Sequence, residues 1–323
     1  MLRYLFTTGL LLAAQAVWAG EFFGLGGALS APGSDQRTYT WALDYRHQLS
    51  EHIDLSAAWI NEGHLPNHHR DGASAQIWAR TTLLDPSFSV SAGVGPYGYF
   101  DTTTLSADAR EIDAHGWGVI YSLAATWRAQ GRWLLQLRAN RIETQRSIDT
   151  TSVLFGLGYQ LDDLPAVEGR PAIFSGIGER SDSEVGVMLG IAVVNSFDSE
   201  TSFAKSIEYR RGLGRYLDWT IAWLNEGNSR LVRRNGVVTQ LWLVRPVWDE
   251  RATLEAGVGP YVIVDTYGGG DTAGGYERVA GLFSLGASYR LTARWRARVS
   301  WNRVFADNPY DTDVFLIGGA YAF

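Results

Sequence analysis

The chain has 323 residues, a net charge of −6 at pH 7 and no cysteine. A disulfide scaffold is excluded, and with no basic stripe among its mostly arginine cations nucleic acid is not an expected partner. Its 36 glycines and 13% aromatic residues point to close strand packing and interfacial aromatic belts rather than to a helical enzyme.

Residues 1–19 read as a secretory signal: Arg3, an apolar run from Leu5 to Ala14, then Val17-Trp18-Ala19 before Gly20. Nothing after it reaches the roughly 18 to 20 apolar residues of a spanning helix. From residue 20 onward the pattern alternates with period 2. Strands are expected near 21–30, 37–48, 52–62, 72–83, 87–101, 115–128, 131–143 and 150–161. In 52–62 one parity is Ile53, Leu55, Ala57 and Trp59, while the other holds Asp54, Ser56, Ala58, Ile60 and Glu62. Later strands repeat this, with Ala75, Ile77 and Ala79 against Gln76, Trp78 and Arg80. Short connections such as 49–51, 84–86 and 129–131 take turns with longer ones.

Residues 162–181, with Pro165 and Pro171, read as a periplasmic linker, and 182–323 repeat 20–161. Trp59-Ile60-Asn61-Glu62-Gly63 returns 164 residues later as Trp223-Leu224-Asn225-Glu226-Gly227, and Ala92-Gly93-Val94-Gly95-Pro96-Tyr97 as Ala256-Gly257-Val258-Gly259-Pro260-Tyr261. A unit this long is a whole folding unit, not a solenoid repeat. Segments of about ten residues with one apolar and one polar face match tilted membrane strands. The fold expected is therefore all-β: two tandem eight-stranded transmembrane antiparallel β-barrels, with one sixteen-stranded barrel as the alternative. The linker favours two, as do the inward bulk of Trp78, Tyr97, Tyr99, Trp242 and Tyr261 and the opposed charges Asp44, Arg46, Asp54, Arg80 and Arg138, which suit narrow, filled lumens. A soluble β-sandwich would turn the same apolar parity toward a core; tryptophan and tyrosine near strand ends suit lipid better.

The last strand, Phe315-Leu316-Ile317-Gly318-Gly319-Ala320-Tyr321-Ala322-Phe323, resembles the terminal strand of bacterial outer-membrane β-barrel proteins. That resemblance implies an integral outer-membrane location, with membrane lipid, lipopolysaccharide and the barrel-assembly machinery as partners.

Candidate chemistry gathers in Asn61-Glu62-Gly63-His64-Leu65-Pro66-Asn67-His68-His69-Arg70-Asp71-Gly72, which carries three of the six histidines. Strand parity sends Glu62, Gln76, Arg80, Tyr97, Tyr99 and Asp101 into the lumen mouth, so the loop is expected to cap a polar cup. Catalytic candidates are Glu62, His64, His69 and Asp101, a histidine beside a carboxylate being the arrangement of a general base. Binding candidates are Asn61, Arg70, Asp71, Gln76, Arg80, Tyr97, Tyr99 and Arg141, and metal candidates are His64, His68 and His69 with Glu62 or Asp71. An eight-stranded barrel with a strand-borne Asn is similar to the PagL-like lipid A deacylases, whose motif is His-x-Ser-Asn. The aligned positions are Ala58, Trp59, Ile60 and Asn61; only Asn61 matches, so the resemblance implies the barrel and its rim, not the hydrolysis. Structural roles compete with these: Asn-Glu-Gly as a strand-ending bend, Glu62 paired with Arg80, and Gly93 and Gly95 making room for Trp78. Asp101-Thr102, Asp265-Thr266, Arg141 and Arg303 are candidates for contact with lipopolysaccharide, arginine suiting its phosphate. The function expected is non-catalytic, a polar outer rim on the first barrel binding envelope glycolipid or exported polysaccharide, with no cofactor. The alternatives are a lipid A or polysaccharide-modifying enzyme at the Glu62/His64/His69 cup, and a passive porin-like channel.

Overall fold

The computed structural model describes residues 20–32, 37–65, 68–83, 87–105, 110–129, 131–161, 183–196, 199–214, 216–248, 250–268, 278–306 and 310–323. The expected signal and linker lie outside them. Barrel 1 consists of β1 (Gly20–Ser30), β2 (Arg37–Gln48), β3 (Ile53–Leu65), β4 (His68–Thr82), β5 (Phe88–Leu105), β6 (Arg110–Arg128), β7 (Trp133–Thr144) and β8 (Thr150–Gln160). Barrel 2 consists of β9 (Ser183–Val194), β10 (Thr201–Gly212), β11 (Leu217–Asn228), β12 (Val232–Val247), β13 (Ala252–Gly268), β14 (Val279–Arg290), β15 (Trp295–Phe305) and β16 (Thr312–Ala322). Consecutive strands pair antiparallel, β1 closes on β8, and β9 closes on β16. A sixteen-stranded barrel would need β8 bonded to β9, yet each is already bonded on both sides within its own barrel. That alternative is therefore set aside.

The strands of barrel 1 run further outward than the alternation indicates. His68 pairs with Thr103, and the β5–β6 ladder continues to Leu105 and Arg110. Backbone pairing persists there without the period-2 alternation of apolar and polar residues that marks the membrane-spanning part.

On β6 the outward residues run Trp117, Val119, Tyr121, Leu123, Ala125 and Trp127, with Trp117 71% and Leu123 65% exposed. Ten residues separate the two tryptophans; at about 3.4 Å per residue and a tilt of about 40° they stand ~26 Å apart along the barrel axis, the height of a membrane apolar band. The inner end carries edge-to-face girdle pairs, Trp133 with Tyr159 and Trp295 with Tyr321, each with ring centres 5.2 Å apart. Trp59, on the outward parity, is covered by Phe100 at 6.0 Å, whereas its copy Trp223 is open.

The lumens are filled in tiers. Nearest the short turns of barrel 1, Arg80 bridges Asp54 (2.8 Å) and Glu21 (3.2 Å), Arg138 pairs with Asp44, and Arg46 lies 3.8 Å over the Trp78 ring. Barrel 2 keeps the form with different members: Arg210 lies between Glu255 (2.7 Å) and Glu208 (3.2 Å), 4.7 Å over Trp242. Both tryptophans are fully enclosed, because a Cβ added at Gly93 or Gly257 would come within 2.5 Å of the ring. Above them Gln76 donates to Ser122 (3.0 Å) and Ser122 to Asn140 (2.8 Å), repeated by Gln240, Ser284 and Asn302. Next comes an apolar tier that includes Ala42, Ile60, Ile120, Ile142 and Leu154; barrel 2 has an apolar cluster there too, with Leu224, Leu282, Val304 and Leu316 at the equivalent positions of the last four. An ion crossing either lumen would shed its water at that tier with no replacement ligand. The purified chain in planar bilayers is therefore expected to give no stable open-channel current; a persistent conductance step would overturn the filled-lumen assignment.

Candidate functional site

The repeated Asn-Glu-Gly is a bulge. Gly63 has φ +62° and Gly227 φ +86°, and the β3–β4 and β11–β12 registers shift at these points. Asn61 Oδ1 accepts the Gly63 N–H at 3.1 Å, as Asn225 does from Gly227 at 2.9 Å. Any side chain at Gly63 would meet the Tyr39 carbonyl at 2.3 Å. The one residue shared with the deacylase motif thus serves to close a turn; the bend expected at Gly63 is present, but it does not end the strand, since β3 runs on to Leu65.

The bulge aims Glu62 into the lumen. There Arg70 donates to both its oxygens, Nη2 to Oε1 at 2.9 Å, Tyr97 donates to Oε2 at 2.8 Å, and Thr150 bonds the same carboxylate. Barrel 2 repeats the lock with Glu226, Arg234 (3.0 Å) and Thr312. The expected Glu62–Arg80 pair is incorrect. Both side chains point inward, but Arg80 stands at the inner end with Asp54 and Glu21; parity assigns a face, not a height.

Above the lock, His68 Nδ1 lies 2.8 Å from Asp101 Oδ2, Ser147 Oγ donates to the same oxygen at 2.6 Å, and Arg70 donates to Ser147 (2.9 Å) and to the Ile148 carbonyl. The loop joining β7 to β8 is tied over the mouth this way. Ser147 escaped the sequence reading: it lies 79 residues from His68, in no motif, and only barrel closure brings it there. A carboxylate on Nδ1 orients a histidine as a base, yet Ser147 bonds to the carboxylate instead of the imidazole.

The expected cup divides across the wall. Glu62, His68, Arg70, Gln76, Arg80, Tyr97, Tyr99 and Asp101 belong to the lumen side, with Gln76 and Arg80 in lower tiers. Asn61, His64, His69, Asp71 and Arg141 fall on the outward parity. The His64 and His69 rings lie against each other at 4.2 Å, His64 also meeting the edge of the exposed Tyr39. The metal candidates are divided by the wall, and among the described residues no three His, Asp or Glu side chains converge on one point.

Barrel 2 differs at this end. Asp265, the sequence counterpart of Asp101, is turned outward by a register shift at Asn235/Gly236 and pairs with Arg233 at 3.1 Å. Arg303, expected free for phosphate, is buried against Asp311 (3.2 Å) and Asp313 (3.0 Å).

An apolar exterior, ion-paired lumens and separately closed ladders together define an integral outer-membrane β-barrel protein. No protein-family model matches the chain, and no curated protein matches it by sequence. Among solved structures, the N-terminal β-barrel domain of Pseudomonas aeruginosa OprF is similar at 9% identity, covering 44% of this chain and 96% of its own with a TM-score of 0.37. Neisserial surface protein A matches at 6% identity over 45% and 97%, TM-score 0.34. The CymD monoaromatic hydrocarbon channel matches at 11% over 94% and 88%, TM-score 0.27.

Arg70→Ala leaves Glu62 buried opposite no cation and is expected to cost about 3–5 kcal/mol, whereas Arg141→Ala at its half-open pairs is expected to cost under ~1 kcal/mol. Urea titration of the refolded protein checks this, and equal costs would refute the assignment.

Proposed function

We propose that this protein is a non-catalytic outer-membrane protein whose first barrel presents its outer end to envelope glycolipid or exported saccharide. The observation that carries the reading is the contrast between the two copies. They keep the same bulge, lock and tryptophan plug, so these serve the barrel. They diverge at the outer end, where barrel 1 has the His68–Asp101–Ser147 set and the His64–His69 pair. Surface that differs between copies of one fold is where separate function resides. Hydroxyl, imidazole and carboxylate groups suit a polar, hydroxyl-rich ligand.

A chimera carrying the outer ends of barrel 2 on the strands of barrel 1 is expected to lose binding of purified lipopolysaccharide while keeping heat-modifiable migration. Undiminished binding would overturn the reading. The catalytic alternative now rests on His68, Asp101 and Ser147 and is separated by mass spectrometry of lipid A. Cells with and without the chain are expected to show the same acyl pattern, and a pattern change abolished by Ser147→Ala would establish an enzyme.

A further inference from the structure

The duplication lets one wall be compared with itself. Near the outer end of barrel 1, one outward register row runs Arg37, Ser30, Thr151, Arg141, Tyr121 across five strands. The same row of barrel 2 runs Thr201, Val193, Asp313, Arg303, Phe283. Arg303 Nη2 holds Asp311 and Nη1 holds Asp313, which also accepts the Trp301 indole N–H at 2.8 Å. Arg141 Nη2 makes the equivalent bond to Asp149 at 3.1 Å, but its Nη1 faces the Thr151 hydroxyl at 3.3 Å. Where barrel 2 places its own carboxylate, barrel 1 places a hydroxyl. Arg303 is accordingly 1% exposed and Arg141 34%.

A second difference lies one row further into the membrane. Barrel 1 has Ala79, Ala92, Leu123, Ala139 and Val153, where barrel 2 has Leu243, Ala256, Leu285, Trp301 and Phe315. The small residues open an apolar furrow of about 600 Å³ directly below Arg141 and Thr151. Spanning five strands about 4.8 Å apart, it is ~19 Å long, and strand tilt sets it oblique to the bilayer, so it fits the chain of one leaflet of a core about 30 Å thick.

We propose that this wall binds one phosphorylated lipid of the outer leaflet. The phosphate lies between Arg37 and Arg141 with the Ser30 and Thr151 hydroxyls, and one acyl chain lies in the furrow. Guanidinium geometry suits phosphate. The pairs of Arg141 with Asp149 and with Glu143 (3.5 Å) are partly exposed and weak enough for a phosphate to compete. In barrel 2 Asp313 takes the place of the phosphate, and Trp301 and Phe315 take that of the chain. The inference rests on the glycolipid reading above and names its site.

The test uses the full chain in dodecyl maltoside micelles, with added lipid A counted by native mass spectrometry. Thr151→Asp and Ala139→Trp each install the residue barrel 2 already tolerates, and heat-modifiable migration reports their folding. The expected result is lipid A bound by the unaltered chain and at least tenfold weaker binding by each variant. Retention by either folded variant overturns the wall site and leaves the rim reading standing, to be judged by the chimera. Absence of lipid A binding by the unaltered chain overturns the site together with the glycolipid reading.

Discussion

Hydrocarbon offers no hydrogen-bond partner, so each backbone N–H and C=O inside the membrane must be satisfied by another strand. That constraint closes β1 on β8 and β9 on β16, and much else follows. Eight strands enclose a lumen just wide enough for side chains. Those side chains are polar because the apolar parity is spent on lipid, and buried charges must then find counter-charges. Arg80 with Asp54 and Glu21, Arg138 with Asp44, and Arg70 with Glu62 answer that demand. A sealed interior leaves the outer end and the lipid-facing wall as the surfaces open to function.

Two copies of one fold in one chain separate constraint from opportunity. Gly93 and Gly257 survive because an enclosed indole occupies the space a Cβ would need. Gly63 and Gly227 survive because the bulge requires positive φ. Neither retention concerns a ligand. Asp101 and Asp265 are retained in sequence yet face opposite sides of the wall, since a single register shift in barrel 2 reverses the parity. Identity at a position therefore does not ensure identity of role.

The fold was largely legible because side-chain direction in a strand has a fixed period. Trp78 and Gln76 could be set inside, and Ile77 and Leu55 outside, from the alternation alone. The site was legible only in part. Glu62 was placed in the lumen correctly and given the wrong partner, since Arg70 lay in what read as a loop and is a strand residue of β4. His64 and His69 were grouped with Glu62 by proximity in sequence, and so with Asp101 in one cup, whereas the bulge and strand parity put them across the wall. Ser147 carried no signal.

Local sequence by itself determined the class of protein: strands of membrane length, their inner and outer faces, the duplication and a glycine-dependent bend at Asn-Glu-Gly all follow from backbone sterics and the polarity of neighbouring residues. Tertiary structure decided where the chain closes, which charges pair, and which residues of distant strands share a register row. Those depend on the relative height of strands around a barrel, a quantity set by the whole circuit of hydrogen bonds and written in no single segment.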